Sequence, residues 1–244
     1  GTTPELMEKG IPDEAWEPIE GDDRKVASAL KKRNKSERSG QLALGFGAPD
    51  ASTAEQTAVV NAVAELDRAL DVDVEALRQK EAQWAALQAS DAYQHQKLVA
   101  DAWCAAFVWP KQEQGPVADA APTTAVWRAL RDNAPLPSAP LLRQVVTRLA
   151  QDYSFFHWHL AFPQVFARGG FDVVLGNPPW EHIEIKEEEW FAEQRPDIAS
   201  APNANARKRL IRALRDDDPV LFARFQAAQR RVDGETQFLR RSSR

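Results

Sequence analysis

Residues 171–181 read FDVVLGNPPWE, an apolar run that ends in Asn177, Pro178, Pro179 and Trp180. These four residue types, in this order, have a definite chemical use. Each proline fixes its own φ and lacks an N–H, so the carbonyls around Pro178 and Pro179 have no helix or ladder in which to pair. Asn177 precedes a proline and is held out of the helical region, which lets its side-chain carbonyl project rigidly. Trp180 adds a flat apolar face beside those acceptors. Fixed carbonyl oxygens next to an aromatic plate suit a planar amine. The oxygens accept from the –NH₂ group while the ring stacks on the base that carries it, a contact worth roughly 1–3 kcal/mol. The exocyclic amine of adenine is a poor nucleophile because its lone pair is delocalised into the ring. Accepting both hydrogens favours a more pyramidal nitrogen, whose lone pair can attack an electrophilic methyl group. No strong base is needed before attack, since the proton becomes acidic once the new bond has formed. Glu181 and His182 follow closely and are candidates to line the same pocket.

The elements that must position this loop are read from pattern. Val173 to Leu175, between Asp172 and Gly176, predict a buried parallel strand over 171–176, with the loop at its carboxyl end. Such ends are where α/β sheets place ligands. Asp172 reads as structural. Elsewhere the pattern is helical. DDRKVASALKKRNKSERSG predicts a helix from Asp22 or Asp23 that stops before Gly40, its cations forming either a solvated face or a phosphate contact. Ser52 and Glu55 make a capping box, and the apolar spacing through 52–109 predicts two or three packed helices ended by Pro110. The Trp-rich end of that stretch, AWCAAFVW, reads as core. Residues 110–122 and 132–140 read as loops around a short helix, TTAVWRAL, and another helix follows from Pro140. His157 and His159 flank Trp158 with no nearby carboxylate or thiol to complete a metal site, which favours packing or hydrogen bonding.

From Asn203 onward there are eleven Arg and Lys against five Asp and Glu. Arg207, Lys208, Arg209 and Arg212 make this segment a candidate nucleic-acid face. It reads equally as the exposed side of two amphipathic helices whose buried side is Leu210, Leu214, Leu221, Phe222 and Phe225. The whole chain of 244 residues carries a net charge of −5, so any attraction to nucleic acid must be local. Cys104 is the single cysteine, which excludes an internal disulfide and a thiolate zinc site and fits a reducing cytoplasm. No apolar run approaches the roughly 20 residues that span a bilayer.

With those residues in view, FDVVLGNPPW resembles the Asn/Asp/Ser-Pro-Pro-aromatic motif of amino-methylating DNA methyltransferases, specifically the N6-adenine group. The longer run FHWHLAFPQVFARGGFDVVLGNPPWEHIEIKEEEWFA is similar to the large methylases of type IIG restriction–modification and related phage-defence systems. IEGDDRKVASALKKRNK, ADAWCAAFVWPK and NARKRLIRAL with GETQFLR look similar to the same group. The resemblance implies a flipped adenine, with Asn177 and the Pro178 carbonyl accepting from its amine and Trp180 stacking on it. It also implies S-adenosylmethionine as methyl donor, double-stranded DNA as partner and no metal for the transfer.

One family feature is not found. The Gly-rich loop for S-adenosylmethionine has no good counterpart: Gly45 and Gly47 in LALGFGAPD follow a basic stretch and lack the expected acidic residue, and Gly169 and Gly170 belong to the turn before the motif. The expectation is therefore a largely α slice of an α/β methyltransferase, with the cofactor loop upstream of Gly1 and the remainder of the same polypeptide beyond both ends. Residues 1–50 form a polar basic segment, 51–160 a helical insertion, 161–200 the catalytic-motif part and 201–244 a basic helical segment. Such a chain is expected to be inactive alone. Two alternatives stand beside it: a methyltransferase acting on RNA or a protein amide, and a non-enzymatic helical module that binds DNA.

Overall fold

The computed structural model describes residues 2–42, 51–69, 73–112, 115–177 and 184–242, the side chains of 41–42 and 51–56 excepted. Eight helices longer than two turns carry the architecture: α1 Arg24–Leu42, α2 Ala51–Arg68, α3 Val74–Ala89, α4 Asp91–Val108, α5 Thr124–Arg131, α6 Ala139–Asp152, α7 Ala204–Asp217 and α8 Pro219–Arg241. Single-turn helices fill the connections. The start signals act locally. Asp73, Ser90, Asn203 and Asp218 each accept a hydrogen bond from a first-turn N–H of α3, α4, α7 and α8. Asp23 does the same for α1 through the Lys25 and Val26 amides. That helix runs through Gly40 to Leu42 instead of stopping before it. One exposed glycine costs a helix only about 1 kcal/mol, too little to end it. The Ser52–Glu55 capping box and the LALGFGAPD candidate fall outside what is described.

Helix α4 is the axis of the fold. From Leu98 to Val108 every residue is buried, Asp101 included, and a helix apolar on most sides must be surrounded. It is enclosed by α2, α5, α6, α8 and the 3₁₀ turn Asp13–Trp16. The indoles that fill this core find acceptors where they can: Trp103 donates to Gly10 O at 3.0 Å, Trp127 to Val99 O at 2.9 Å and Trp109 to Val117 O at 3.0 Å. A smaller cluster of Phe191, Ile198, Ile211, Leu214, Leu221 and Phe225 joins α7 to the first turns of α8.

Helix α8 connects the two clusters. Leu221 and Phe225 sit in the smaller one, and Phe238 packs edge-on against Phe107 of α4 at 5.3 Å. Between them Gly234 is buried, and a Cβ there would lie 2.7 Å from Tyr153 Oη and 2.8 Å from Val108 Cγ1. Only glycine allows α8 to approach so closely.

The predicted strand at 171–176 is not formed, and no strand occurs among the described residues. Val173, Val174 and Leu175 are 70%, 70% and 92% exposed, in irregular backbone. A buried parallel strand requires paired strands at its edges and helices over its faces. The described chain supplies neither, so the expectation of an α/β sheet slice is overturned together with the strand. An apolar triplet records a tendency to be covered; it does not record what covers it.

Candidate amine-binding segment and basic face

The approach to Asn177 is built on an aromatic cluster. Ser154 onward the chain reads SFFHWHLAFPQVFARGGF, and its rings meet in space. Trp158 stacks with Phe162 at 5.7 Å, and Phe171 meets Trp158, Phe162 and Phe166 edge-on at 5.8, 5.5 and 6.0 Å. Such offset and T-shaped contacts are the favoured aromatic geometries. Gly169 and Gly170 turn the chain back onto this cluster with φ of 102° and 108°, a region that side chains avoid. Their amides bond to Phe166 O and Val165 O and close the short helix Pro163–Phe166. Phe171 is thereby anchored, while Asp172 to Asn177 are exposed.

Asn177 ends this exposed run. Pro178, Pro179, Trp180, Glu181 and His182 lie outside the described residues, so the carbonyls and ring of the predicted amine site are not brought together here. Beside the run, a cleft of about 630 Å³ is lined by Val59, Gln96, His159, Phe166, Phe171 and Val174 among others.

The two histidines hold this region to the core. His157 Nε2 donates to Asp101 Oδ1 at 2.8 Å, and Lys97 Nζ donates to the other oxygen of Asp101 at 2.5 Å. Burial draws the His157 imidazole below its ordinary value, with Asp101 opposing the shift. His159 Nδ1 meets Thr2 O at 3.2 Å. Burial, reinforced by His157, lowers His159 to about 4. Both rings are thus structural and neutral at pH 7, and among the described residues no group of three or more potential ligands gathers to hold a metal. Cys104 is enclosed, and burial raises its thiol to about 12, which leaves it unreactive.

The four basic residues of α7 divide. Arg207 is buried, with Nε donating to Ile198 O at 3.3 Å and Nη2 to Glu188 at 2.5 Å. Lys208, Arg209 and Arg212 face solvent. The helical phase of Arg207 with Ile211 and Leu214 is a readable signal for this division, because the three fall on one face. Arg230, counted with the same basic segment, is also an internal residue. It donates to Asp22 Oδ1 at 2.6 Å, to Glu20 O at 2.7 Å and to Trp109 O at 3.1 Å. The aromatic cluster is the part of this region that spacing analysis missed. Its signal was the density of Phe and Trp in 155–171, with no helical or strand period to interpret it.

Residues 127–208 match the family model for Eco57I restriction-modification methylases. The matched stretch begins in α5, takes in α6, the aromatic cluster and Asn177 to Trp180, and ends within α7. That segment is therefore similar to a restriction–modification methylase. No curated protein and no solved structure matches the chain. Among the described residues no helix is long and apolar enough to cross a membrane.

Proposed function

We propose that this chain carries the amine-holding segment of an adenine-specific DNA methyltransferase of a restriction–modification or defence system, of the type IIG group. The observation that carries the reading is the position of Asn-Pro-Pro-Trp inside the stretch similar to a methylase family. Asn177 and the Pro178 carbonyl accept from the amine of a flipped adenine, Trp180 stacks on its ring, and Pro179 holds the loop rigid. Rigid acceptors contribute because they require no reorganisation as the nitrogen changes shape. Lys208, Arg209 and Arg212 supply local attraction for the DNA backbone on a chain that is acidic overall. A bacterial cytoplasm is the compartment this reading implies.

S-adenosylmethionine is the methyl donor in reactions of this class. The described residues do not fit it. The glycine pair that turns the chain, Gly169 and Gly170, opens onto a cleft lined mainly by apolar side chains, and its one imidazole is turned to Thr2 O. No step is derived through the cofactor, whose loop this reading expects upstream of Gly1. The 244-residue chain by itself is then inactive.

The test is methyl transfer to an adenine-containing duplex by the complete methylase that includes this segment. Asn177→Ala is expected to lower the rate roughly 100-fold, the usual scale for losing one fixed polar group of a reaction site. A rate close to that of the parent enzyme would remove Asn177 from the mechanism. Competition among duplex DNA, RNA and protein amide substrates separates the adenine reading from its two enzymatic alternatives.

A further inference from the structure

Arg128 stands in an unusual position on α5. Its Nη1 is buried and has no hydrogen-bond partner among the described residues. Two further guanidiniums are its neighbours: Arg131, one turn along α5, and Arg38 on α1. The nearby carboxylates are already engaged. Asp132 is held by Arg131 through both oxygens, at 2.7 and 3.2 Å. Asp13 is shared between Asn34 at 2.9 Å and Arg38 at 3.5 Å. Glu37 accepts from the Ala125 amide at 2.8 Å, from Thr123 and from Arg33. Burial lowers the proton affinity of Arg128; Arg131 and Arg38 add to the effect and Asp132 opposes it.

A buried guanidinium nitrogen without an acceptor is costly, even where the rest of the group meets water, and the cost is relieved by an anion with several oxygens. Planar forks of N–H donors match phosphate oxygens better than any other side chain does. We propose that Arg38, Arg128 and Arg131 form a phosphate-binding site, and that the phosphate is one of a nucleic-acid backbone. The site lies on α1 and α5, apart from the exposed cations of α7 and from Asn177. Choosing a nucleic-acid phosphate over a free one rests on the DNA reading above; the oxyanion chemistry itself does not.

The experiment measures binding of a fluorescein-labelled DNA duplex to the 244-residue chain by anisotropy over a series of KCl concentrations. A parallel arm records thermal unfolding with inorganic phosphate against KCl of equal ionic strength. Arg128→Gln is expected to weaken duplex binding and to lower the slope of log K against log salt by about 0.9 for one lost phosphate contact. Arg38→Gln, at a half-exposed position, reports on the same site if the first variant does not fold, as judged by circular dichroism. An unchanged duplex slope, or no duplex binding by the parent chain, overturns the backbone source. If phosphate then still stabilises the parent and not the variants, the site takes free phosphate. No response in either arm overturns the site altogether. Because methyl transfer is not measured, failure here is distinguishable from failure of the Asn177 assignment.

Discussion

The carboxyl end of α4 and the run that leads to Asn177 differ in almost every physical respect. At the first, the carbonyls that α4 leaves unpaired, together with the residues just beyond them, are met by one nearby donor, Lys111, and by two from a distant part of the chain. Lys111 Nζ reaches Phe107 O at 3.4 Å and Asp22 at 3.4 Å. Arg230 reaches Val108 O and Trp109 O, and Gln237 reaches Phe107 O at 3.2 Å. Cations at a helix C-terminus also complement its dipole. Asp22 and Lys111 have fully buried side chains there, and burial lowers the Lys111 ammonium to about 8 against the opposing pull of Asp22. The run to Asn177 has one anchor, Phe171, and then six exposed residues. Stability is concentrated where the helices meet, and the exposed residues 172–177 add little to it.

Breaking the buried end of α4 should have the largest effect. Asp22→Ala leaves Lys111 and Arg230 without their shared carboxylate, and about 3–5 kcal/mol of stability is expected to disappear in urea unfolding. A loss under 1 kcal/mol would show that the network is replaceable by water. The next largest effect is on pH dependence. His159 is neutral in the fold, with its value lowered to about 4, whereas an unfolded histidine protonates near its ordinary 6.5. Protons therefore bind the unfolded chain preferentially between those values. The contribution of His159 to stability should be constant above about pH 6.5, fall as pH drops toward 4, and level off below it, with a loss on the order of 3 kcal/mol. Replacing His159 with Gln should flatten that decline.

Gly234→Ala sharpens the comparison at a single methyl. The new Cβ meets Tyr153 and Val108 at distances no packed side chain tolerates. A cost of roughly 1–3 kcal/mol is expected as α8 shifts away from α4, read as a lower midpoint in thermal unfolding. The smallest effect belongs to the other region. Asn177→Ala should change stability by less than about 0.5 kcal/mol, as exposed substitutions do, while lowering methyl transfer by the complete enzyme roughly 100-fold. A stability change as large as that of Gly234→Ala would mean that Asn177 packs against the body after all.

Much of the helical layout was legible because its signals are local. Asp218 before Pro219 and Asn203 before a basic amphipathic run each announce a helix start through a side chain that caps its own backbone. The burial of AWCAAFVW was legible for a similar reason, since no face of that run is polar. The Asn-Pro-Pro-Trp reading rests on residue type alone, as proline geometry acts within one or two residues, and all of it beyond Asn177 lies outside the described residues. The strand was misread because a strand is a relation between segments. Val173 to Leu175 have the composition of one, but its hydrogen-bond partners are absent among the described residues.

What the sequence by itself determined is thus the set of properties that each residue carries with its immediate neighbours: helix starts, and a central helix whose carboxyl half is almost wholly apolar. Only the tertiary structure decided which charges are internal. Arg230 and Lys111 have the same side-chain chemistry as Lys208, Arg209 and Arg212, yet the first two close the fold and the others meet water. The difference arises because a long cation takes whatever acceptor lies within its reach. Asp22 and the carbonyls at the end of α4 come within reach of Arg230 only after more than 100 residues of intervening chain have folded between them.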